Sequence, residues 1–391
     1  MNYKTIRFGD LYATNSRNGL SKPSKIRGSG YKMINMGELF ANDRIYDIPM
    51  ELVPLKESEK KNARVEIGDL LFARQSLVLE GAGKCSIVMG VSQLTVFESH
   101  LIRVRLKDEA NPLFYYYYFR SPLSPIKSIV SQCAQAGIRG SDLQKLTVLF
   151  PPKDKQDKIA DILGKYDDLI ENNQKQIKLL EEAAQRLYKE WFVDLHFPGH
   201  EDVKVIDGVP EGWKKEKLID IAEVQYGFAF DGAQFNDKGN GIPIIRIRNI
   251  PDGSTNDFTT EEADKKYLVS NGEIVVGMDG EFYINSWSGE KAYLVQRTCC
   301  LRPKDQKMKG WMLWAIYEPI KFFEKTVVGA TVAHLGKKHI DTIKLLTAPD
   351  QYYVHFQNIF DRRQVLLNQN RKLSEARDRL LPKLMSGEIE A

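Results

Sequence analysis

The chain has 391 residues, of which 42% are hydrophobic and 28% charged, and a formal net charge of +4. This length favours two or three domains with real cores, and no apolar run approaches the roughly 20 residues of a membrane span. The mild charge permits a nucleic-acid partner without requiring one, and the first residues lack the apolar stretch of a signal peptide. Cys85, Cys133, Cys299 and Cys300 show no zinc or CxxC spacing, so we expect reduced thiols in a cytoplasmic protein.

The first half of the chain predicts short strands separated by turns. Residues 30–36 and 65–74 combine glycine turns with apolar runs. Residues 101–106 alternate apolar and polar side chains, which predicts a strand with one wet face and makes its two arginines surface charges. The aromatic run 114–119 predicts a buried helix, with a base-stacking platform as the alternative. Residues 142–148 then predict the last strand before a proline pair.

A long helix follows this half. Residues 154–191 contain no proline and a single glycine, and their apolar positions recur at alternating spacings of four and three. This period is typical of a coiled-coil seam. Asn173 is its only polar member; the seam comprises Ile159, Leu163, Tyr166, Ile170, Asn173, Ile177, Leu180, Ala184, Leu187 and Trp191.

The second half repeats the first, which is the strongest organising signal in the sequence. The matching segments are residues 241–249 with 30–36, 269–278 with 65–74, and 339–345 with 142–148. Residues 244–248 predict another strand with one wet face, and residues 311–317 another core helix.

A second, weaker seam follows Pro349 and contains Asn370 at the position equivalent to Asn173; its members are Phe356, Phe360, Arg363, Leu367, Asn370, Leu373, Leu380 and Leu384. Each helix would be about 55 Å long, with its asparagine near the middle. In an antiparallel pair the two asparagines would meet and fix the register. The alternative is that each asparagine faces water.

Together these elements predict an α+β fold with two globular mixed-sheet domains, each containing a curled sheet. The domains are separated by two long antiparallel coiled-coil helices in a pseudo-two-fold arrangement. The expected domain bounds are residues 1–152, 153–196, 197–349 and 350–391.

The sequence offers little catalytic chemistry. The six histidines show no zinc spacing, and no glycine-rich cofactor loop follows a predicted strand. Asp252, Asp264 and Lys266 fit a permissive pattern of metal-dependent nucleases, although residues 251–253 equally suit a turn. A nuclease therefore remains only as an alternative.

Five segments, by their order and spacing, resemble the specificity (S) subunits of type I restriction-modification systems. They are residues 156–159 (QDKI), 169–173 (LIENN), 187–194 (LYKEWFVD), 209–214 (VPEGWK) and 377–387 (RDRLLPKLMSG). The resemblance covers essentially the whole chain. The first half departs from the family pattern because it lacks a Pro-x-Gly-Trp opening.

The resemblance implies a non-catalytic protein that binds double-stranded DNA with a bipartite site. Each globular half would be a target recognition domain, and each helix a spacer. Two methyltransferase (M) subunits would carry S-adenosylmethionine and methylate adenine. Restriction (R) subunits would use ATP and magnesium, so this chain itself would bind no cofactor or metal. The rival reading is a DNA-binding scaffold or regulator without a methyltransferase partner.

Two such readers would sample half-sites about one helical turn, roughly 34 Å, apart, so helix length would set the unread gap. Base readers are expected on loops at the sheets, with arginine for guanine and amides for adenine. The candidates in the first half are Lys22, Lys25, Arg27, Arg74, Gln75 and Arg139. Those in the second half are Tyr226, Phe228, Arg246, Arg248, Asp279, Lys337 and Lys338. For each of them, a solvated surface side chain is the alternative. Ile162, Leu169 and Leu179 are candidate contacts for an M subunit.

Overall fold

The protein is described by a computed structural model over residues 3–132, 136–326 and 333–391. It divides into two compact units, the first Met1–Asp168 with Glu375–Ala391 and the second Leu169–Ser374. Each unit contains one globular half of the repeat and part of each long helix. Cys85, Cys299 and Cys300 are buried free thiols, whereas Cys133 lies outside the described residues.

The first unit contains several short sheets rather than the single curled sheet expected. Its central sheet is mixed, because the last pair, Cys85–Val88 with Arg44–Ile45, is parallel and the others are antiparallel. The strands of this sheet, in order across it, are Tyr12–Asn18, Leu101–Leu106, Leu70–Ala73, Cys85–Val88 and Arg44–Ile45. The other sheets are Glu51–Val53, Tyr31–Ile34 and Thr95–Phe97; Ser131–Gln132, Ala136–Gly137 and Gln75–Ser76; and Thr5–Arg7 with Thr147–Leu149.

The aromatic run forms the helix Pro112–Arg120. Asn111 caps it by accepting hydrogen bonds from the backbone N–H groups of Leu113 and Phe114 at 2.8 and 3.1 Å, and a proline occupies the first turn. All six aromatic rings from Phe114 to Phe119 are buried. The prediction of a core helix is therefore confirmed, and the rings form no stacking platform. The remaining α-helices described in this half are Met36–Ala41, Glu57–Asn62 and Gly140–Leu143.

The strand Leu101–Leu106 does not have the wet face expected of it. Arg103 is only 6% exposed and donates to the backbone oxygen of Arg64 at 2.5 Å. Arg105 donates two hydrogen bonds of 2.7 Å to the buried carboxylate of Asp69. The expectation was wrong because the polar face of a strand can also be buried when its side chains find carboxylate and carbonyl partners.

The second unit repeats the same frame. Its four-stranded antiparallel sheet follows the order Ala222–Tyr226, Thr298–Pro303, Ile274–Gly277 and Ile284–Ser286. A five-stranded mixed sheet follows the order Phe235–Asn236, Phe258–Thr259, Ile242–Ile245, Ala292–Leu294 and Leu268–Val269. Two further pairs are Val205–Ile206 with Val209–Pro210 and Lys214–Lys217 with Lys344–Thr347. The short α-helices described in this unit are Leu218–Ile221, Lys309–Ala315, Tyr317–Thr326 and Lys337–Ile340.

The strand expected over residues 244–248 is shorter than the pattern suggested. It covers Ile242–Ile245, and a single 3-10 turn, Ile247–Asn249, follows it. The side chain of Asn249 accepts a 2.8 Å hydrogen bond from the backbone N–H of Arg246. This local hydrogen bond stabilises the turn and ends the strand before its arginines.

The two long helices cover Lys153–Tyr188 and Val354–Ser386, and a π-helical turn, Lys189–Val193, extends the first. Within the second unit, the Asn173 amide donates to the Asn370 side-chain oxygen at 2.9 Å. Arg363 donates to Glu181 at 2.7 Å, so the numbering rises along one helix as it falls along the other. The helices are therefore antiparallel there, and the asparagines contact each other; that they fix the register remains a prediction.

Charged groups also join these helices to each other and to neighbouring elements of each unit, which the apolar seam did not suggest. In the second unit, Arg363 is 6% exposed and donates to the side chains of Ser286 and Asn285 at 2.7 Å each, besides its bond to Glu181. In the first unit, the buried carboxylate of Asp167 accepts hydrogen bonds from Tyr117 at 2.6 Å and from Arg377 at 2.5 Å.

Candidate nucleic-acid interface

Three loops of the first unit meet at the end of its central sheet. The backbone N–H of Gly19 donates to Leu101 O at 3.3 Å, and that of Arg74 donates to His100 O at 2.8 Å. The N–H of Ile138 in turn donates to Arg74 O at 2.9 Å. These bonds bring together segments that are far apart in the sequence. We call the side chains of Asn18, Arg74, Gln75, His100 and Arg139, which lie in or beside these segments, the first strand-end site.

The second unit contains the same backbone arrangement. The N–H of Gly227 donates to Thr298 O at 3.0 Å, that of Met278 to Arg297 O at 2.9 Å, and that of Leu335 to Met278 O at 2.7 Å. Each bond has its counterpart in the first unit. We call the side chains of Tyr226, Asp279, Gln296, Arg297 and His334 the second strand-end site.

A glycine is required at the same place in both sites. A Cβ atom on Gly19 would lie 2.0 Å from the backbone oxygen of Phe97, and one on Gly227 would lie 2.1 Å from that of Val295. No side chain fits at such distances. This glycine pair is the sequence signal that aligns the two sites, and it lies outside the matching segments from which the repeat was predicted.

The first strand-end site is polar and partly exposed. Arg74 and Gln75 are half-buried, and Arg139 is exposed just before the helix Gly140–Leu143. The His100 ring is 52% exposed and lies 3.4 Å from a carboxylate oxygen of Glu98. Three of the six readers predicted for this half therefore lie together, and His100 is an addition from the structure.

The second strand-end site is organised around one carboxylate. Asp279 accepts hydrogen bonds from the Arg297 guanidinium and from Nδ1 of His334, the latter at 2.5 Å. Burial alone would raise the pKa of Asp279, but these two hydrogen bonds outweigh it and hold the pKa below its usual range. A cavity of about 470 Å3 lies beside the cluster, lined by residues that include Tyr226, Gln296, Arg297 and His334.

The other second-half candidates near this site differ in availability. Burial raises the pKa of the Tyr226 hydroxyl, which has no hydrogen-bond partner among the described residues. Phe228 packs against the rings of Phe230 and Tyr267, at centroid distances of 4.8 and 5.2 Å. An aromatic ring packed in such a cluster lines the site and does not offer a free surface on which a base could stack.

The two adjacent lysines, Lys337 and Lys338, are both exposed on the short helix Lys337–Ile340. Lys337 is paired with Asp341 at 2.7 Å, one turn further along the chain. Such surface pairs are weak, so both lysines stay accessible to a phosphate.

The remaining first-half candidates lie outside the strand-end site. Lys22 forms an ion pair with Glu59 at 2.8 Å, with only 8% of its side chain exposed. Arg27 is paired with Glu51 at 2.6 Å and also donates to the backbone oxygen of Lys22 at 2.8 Å. Lys25 is exposed. Lys22 and Arg27 therefore stabilise their own loop, and only Lys25 presents its charge to solvent.

Arg246 and Arg248 share one carboxylate. Both guanidinium groups contact Asp257, at 2.9 and 2.6 Å, and Arg248 remains 64% exposed. Burial would raise the pKa of Asp257, but hydrogen bonds from the two arginines and from Asn249 hold it below its usual range. Because two cations surround a single anion, this cluster keeps a net positive charge near the surface.

The described residues give no support to the nuclease alternative. They contain no group of three or more histidine, cysteine or acidic side chains placed to hold a metal ion. Asp264 instead caps its own turn, accepting a 2.9 Å hydrogen bond from the backbone N–H of Lys266. Among the described helices, none is long and apolar enough to cross a membrane.

Comparison with known proteins decides the family. The model of the type I restriction modification DNA specificity domain matches residues 1–182 and 210–375. The chain belongs to this family. It is thus a DNA specificity subunit, which recognises sequence and is not itself an enzyme.

Several specificity subunits are similar to this one. The type I restriction enzyme MjaIX specificity subunit of Methanocaldococcus jannaschii is 27% identical over 303 residues, which cover 72% of this chain and 70% of that protein. The EcoKI specificity subunit of Escherichia coli K12 is 29% identical over 176 residues, covering 43% and 38%. The crystal structure of an S subunit from M. genitalium superposes with a TM-score of 0.59 at 16% identity, over 98% of this chain and 96% of that one. That likeness supports the fold.

Proposed function

We propose that the two strand-end sites read the two halves of a bipartite DNA target. This proposal rests on one observation: the two sites share equivalent backbone hydrogen bonds but carry different polar side chains. Equivalent hydrogen bonds support both sites, yet His100 stands where the second site has Arg297, and Gln75 where it has Asp279. A constant frame with variable donors and acceptors suits two readers of unlike sequences.

The experiment for the first site is the substitution Arg74→Ala in the chain coexpressed with its methyltransferase subunits. We expect relaxed or lost recognition of one half-site only, measured by sequencing methylated adenines across a host genome. Arg7→Ala, an exposed position in a separate sheet, is the matched control and should leave the target unchanged. Unaltered specificity in Arg74→Ala would remove that residue from the readers.

The long helices are proposed to dock two methyltransferase subunits, which carry S-adenosylmethionine. Restriction subunits that use ATP and magnesium would join the same complex in the cytoplasm. Leu169 and Leu179 support the docking, because they are 52% and 64% exposed on the first long helix. Ile162 is a weaker candidate, since it packs partly against the core of the first unit.

Copurification tests this docking and separates it from the scaffold alternative. Leu179→Lys should reduce the amount of M subunit recovered per specificity subunit, whereas the exposed position Lys178→Glu on the same helix should not. If the unmodified chain recovers no methyltransferase at all, the scaffold reading would replace the proposal.

The helices are also proposed to set the length of the unread spacer. Inserting four residues beside Asn173 adds about one helical turn, or roughly 5.4 Å. The spacer between methylated half-sites should then change by one or two base pairs. An unchanged spacer would contradict this role.

A further inference from the structure

Arg297 has an unusual backbone conformation. Its φ angle is +68°, and among the described non-glycine residues only Leu195 and Asp207 also have positive φ. This left-handed region is uncommon for a residue with a long side chain and costs about 1 kcal/mol or more. The turn therefore holds Arg297 in a conformation that local sequence alone does not favour.

The Asp279 carboxylate fixes the side chain of the same arginine. Asp279 is only 12% exposed, whereas Arg297 and His334, which both donate to it, are 59% and 55% exposed. A guanidinium has five N–H donors, and the hydrogen bond to Asp279 comes from one terminal nitrogen. Arg297 has no other side-chain hydrogen bond within the described ranges. The Arg297 guanidinium is therefore held in place, while most of its N–H groups donate no hydrogen bond to the described residues.

Resting on the proposed function, we infer that Arg297 reads a guanine in the second half-site and that Asp279 is its positioning residue. The guanidinium fork matches O6 and N7 of guanine in the major groove, which is the commonest specific contact to a base. Restraining the fork before binding reduces the entropy lost on contact. A phosphate contact requires no such restraint, since a flexible cation suffices.

The same geometry gives His334 a secondary role. Its Nδ1 is engaged by Asp279, so Nε2 is the ring nitrogen left for a neighbouring base or phosphate. In the first strand-end site, His100 occupies the position equivalent to Arg297, and its φ angle is not positive. Within the described residues, an arginine restrained in this way is therefore a feature of the second strand-end site and not of the first.

The test is Arg297→Lys in the full complex with its methyltransferase subunits. Competition binding compares duplexes that each carry one base change in the target. The unmodified complex should prefer guanine at one position of the second half-site by about 10- to 100-fold. The variant should lose most of this preference and keep its profile over the first half-site. Asp279→Asn should weaken the preference at the same position, and less strongly.

Two further variants keep the test decisive. Arg297→Asn suits the left-handed backbone and removes the guanidinium, so it should also abolish the guanine preference if the lysine variant folds poorly. Arg302→Lys makes the same exchange in the strand that follows, where Arg302 is paired with Glu273 at 2.6 Å. That control should leave base preference intact.

The outcomes separate this inference from the function on which it rests. Uniformly weaker binding to every duplex would make Arg297 a phosphate contact and overturn the inference. So would an unchanged profile in the Arg297 variants when Arg74→Ala alters the first half-site. If no variant of either strand-end site changes the profile, the proposed reading sites themselves fail.

Discussion

Replacing Arg363 by alanine should destabilise the second unit more than any exposed change on the same helix. Arg363 is 6% exposed and donates three hydrogen bonds of 2.7 Å, to Glu181, Ser286 and Asn285. Removing one partner of a buried ion pair costs about 3–5 kcal/mol. The Glu181 side chain is 33% exposed and regains some hydration, so we expect the lower end, about 3 kcal/mol.

Tryptophan fluorescence can follow this unit selectively. All five tryptophans lie between residues 191 and 314, inside the second unit. A urea dependence of about 3 kcal/mol per M is expected for a unit of this size, so the midpoint should fall by about 1 M. Arg362→Ala, at the exposed neighbouring position, should change stability by less than about 0.5 kcal/mol.

A double substitution checks the physical reason for the loss. Replacing Arg363 and Glu181 together by methionine should cost less than the sum of the two single changes, because neither charge is then left without its partner. Equal midpoints for Arg363→Ala and Arg362→Ala would refute the reasoning, since the buried hydrogen bonds would then contribute nothing measurable.

Three further predictions follow from contacts within the units. Replacing both Asn173 and Asn370 by leucine should give a more stable helix pair than either single change, because a single change leaves one amide without its 2.9 Å partner. Urea unfolding measures this stability, and a double variant less stable than the single variants would contradict the prediction. Asp257→Asn should free Arg246 and Arg248 to contact phosphate, so the slope of log DNA affinity against log salt concentration should become steeper by about one. An unchanged slope would argue against a phosphate role for these arginines. The pKa of Asp279 is depressed in the folded chain, so the ionised carboxylate stabilises the fold fully above the unfolded pKa of about 3.9, and this stabilisation is lost as pH falls through the folded pKa. The difference in unfolding free energy between the unmodified chain and Asp279→Asn should therefore shrink only below about pH 4. A shrinking difference near neutral pH would contradict this prediction.

The sequence predicted best where its signals were local. The spacing of apolar residues along one helix predicted both long helices, and the antiparallel contact of Asn173 with Asn370 followed from their equivalent seam positions. The repeated glycine and apolar segments likewise predicted matching strands in the two halves, such as Leu70–Ala73 and Ile274–Gly277. The family followed from the order of short motifs along the whole chain.

The polar contacts were decided by the tertiary structure. Whether Arg103 is wet or buried depends on what covers its strand, and no alternation of residues contains that information. Lys22 and Arg27 looked like free cations because their partners, Glu59 and Glu51, lie far along the chain.

The second strand-end site illustrates the difference most clearly. Arg297 lies 18 residues after Asp279 in the sequence, and His334 lies 55 residues after it. No sequence motif links the three residues. They meet because strand pairing brings three loops to one sheet end, where the half-buried carboxylate of Asp279 orients two side chains. The periodic elements, the duplication and the family depend on short-range patterns, so they could be predicted from the amino-acid sequence. Which polar groups face each other depends on how distant segments pack, so it became visible only in the folded chain.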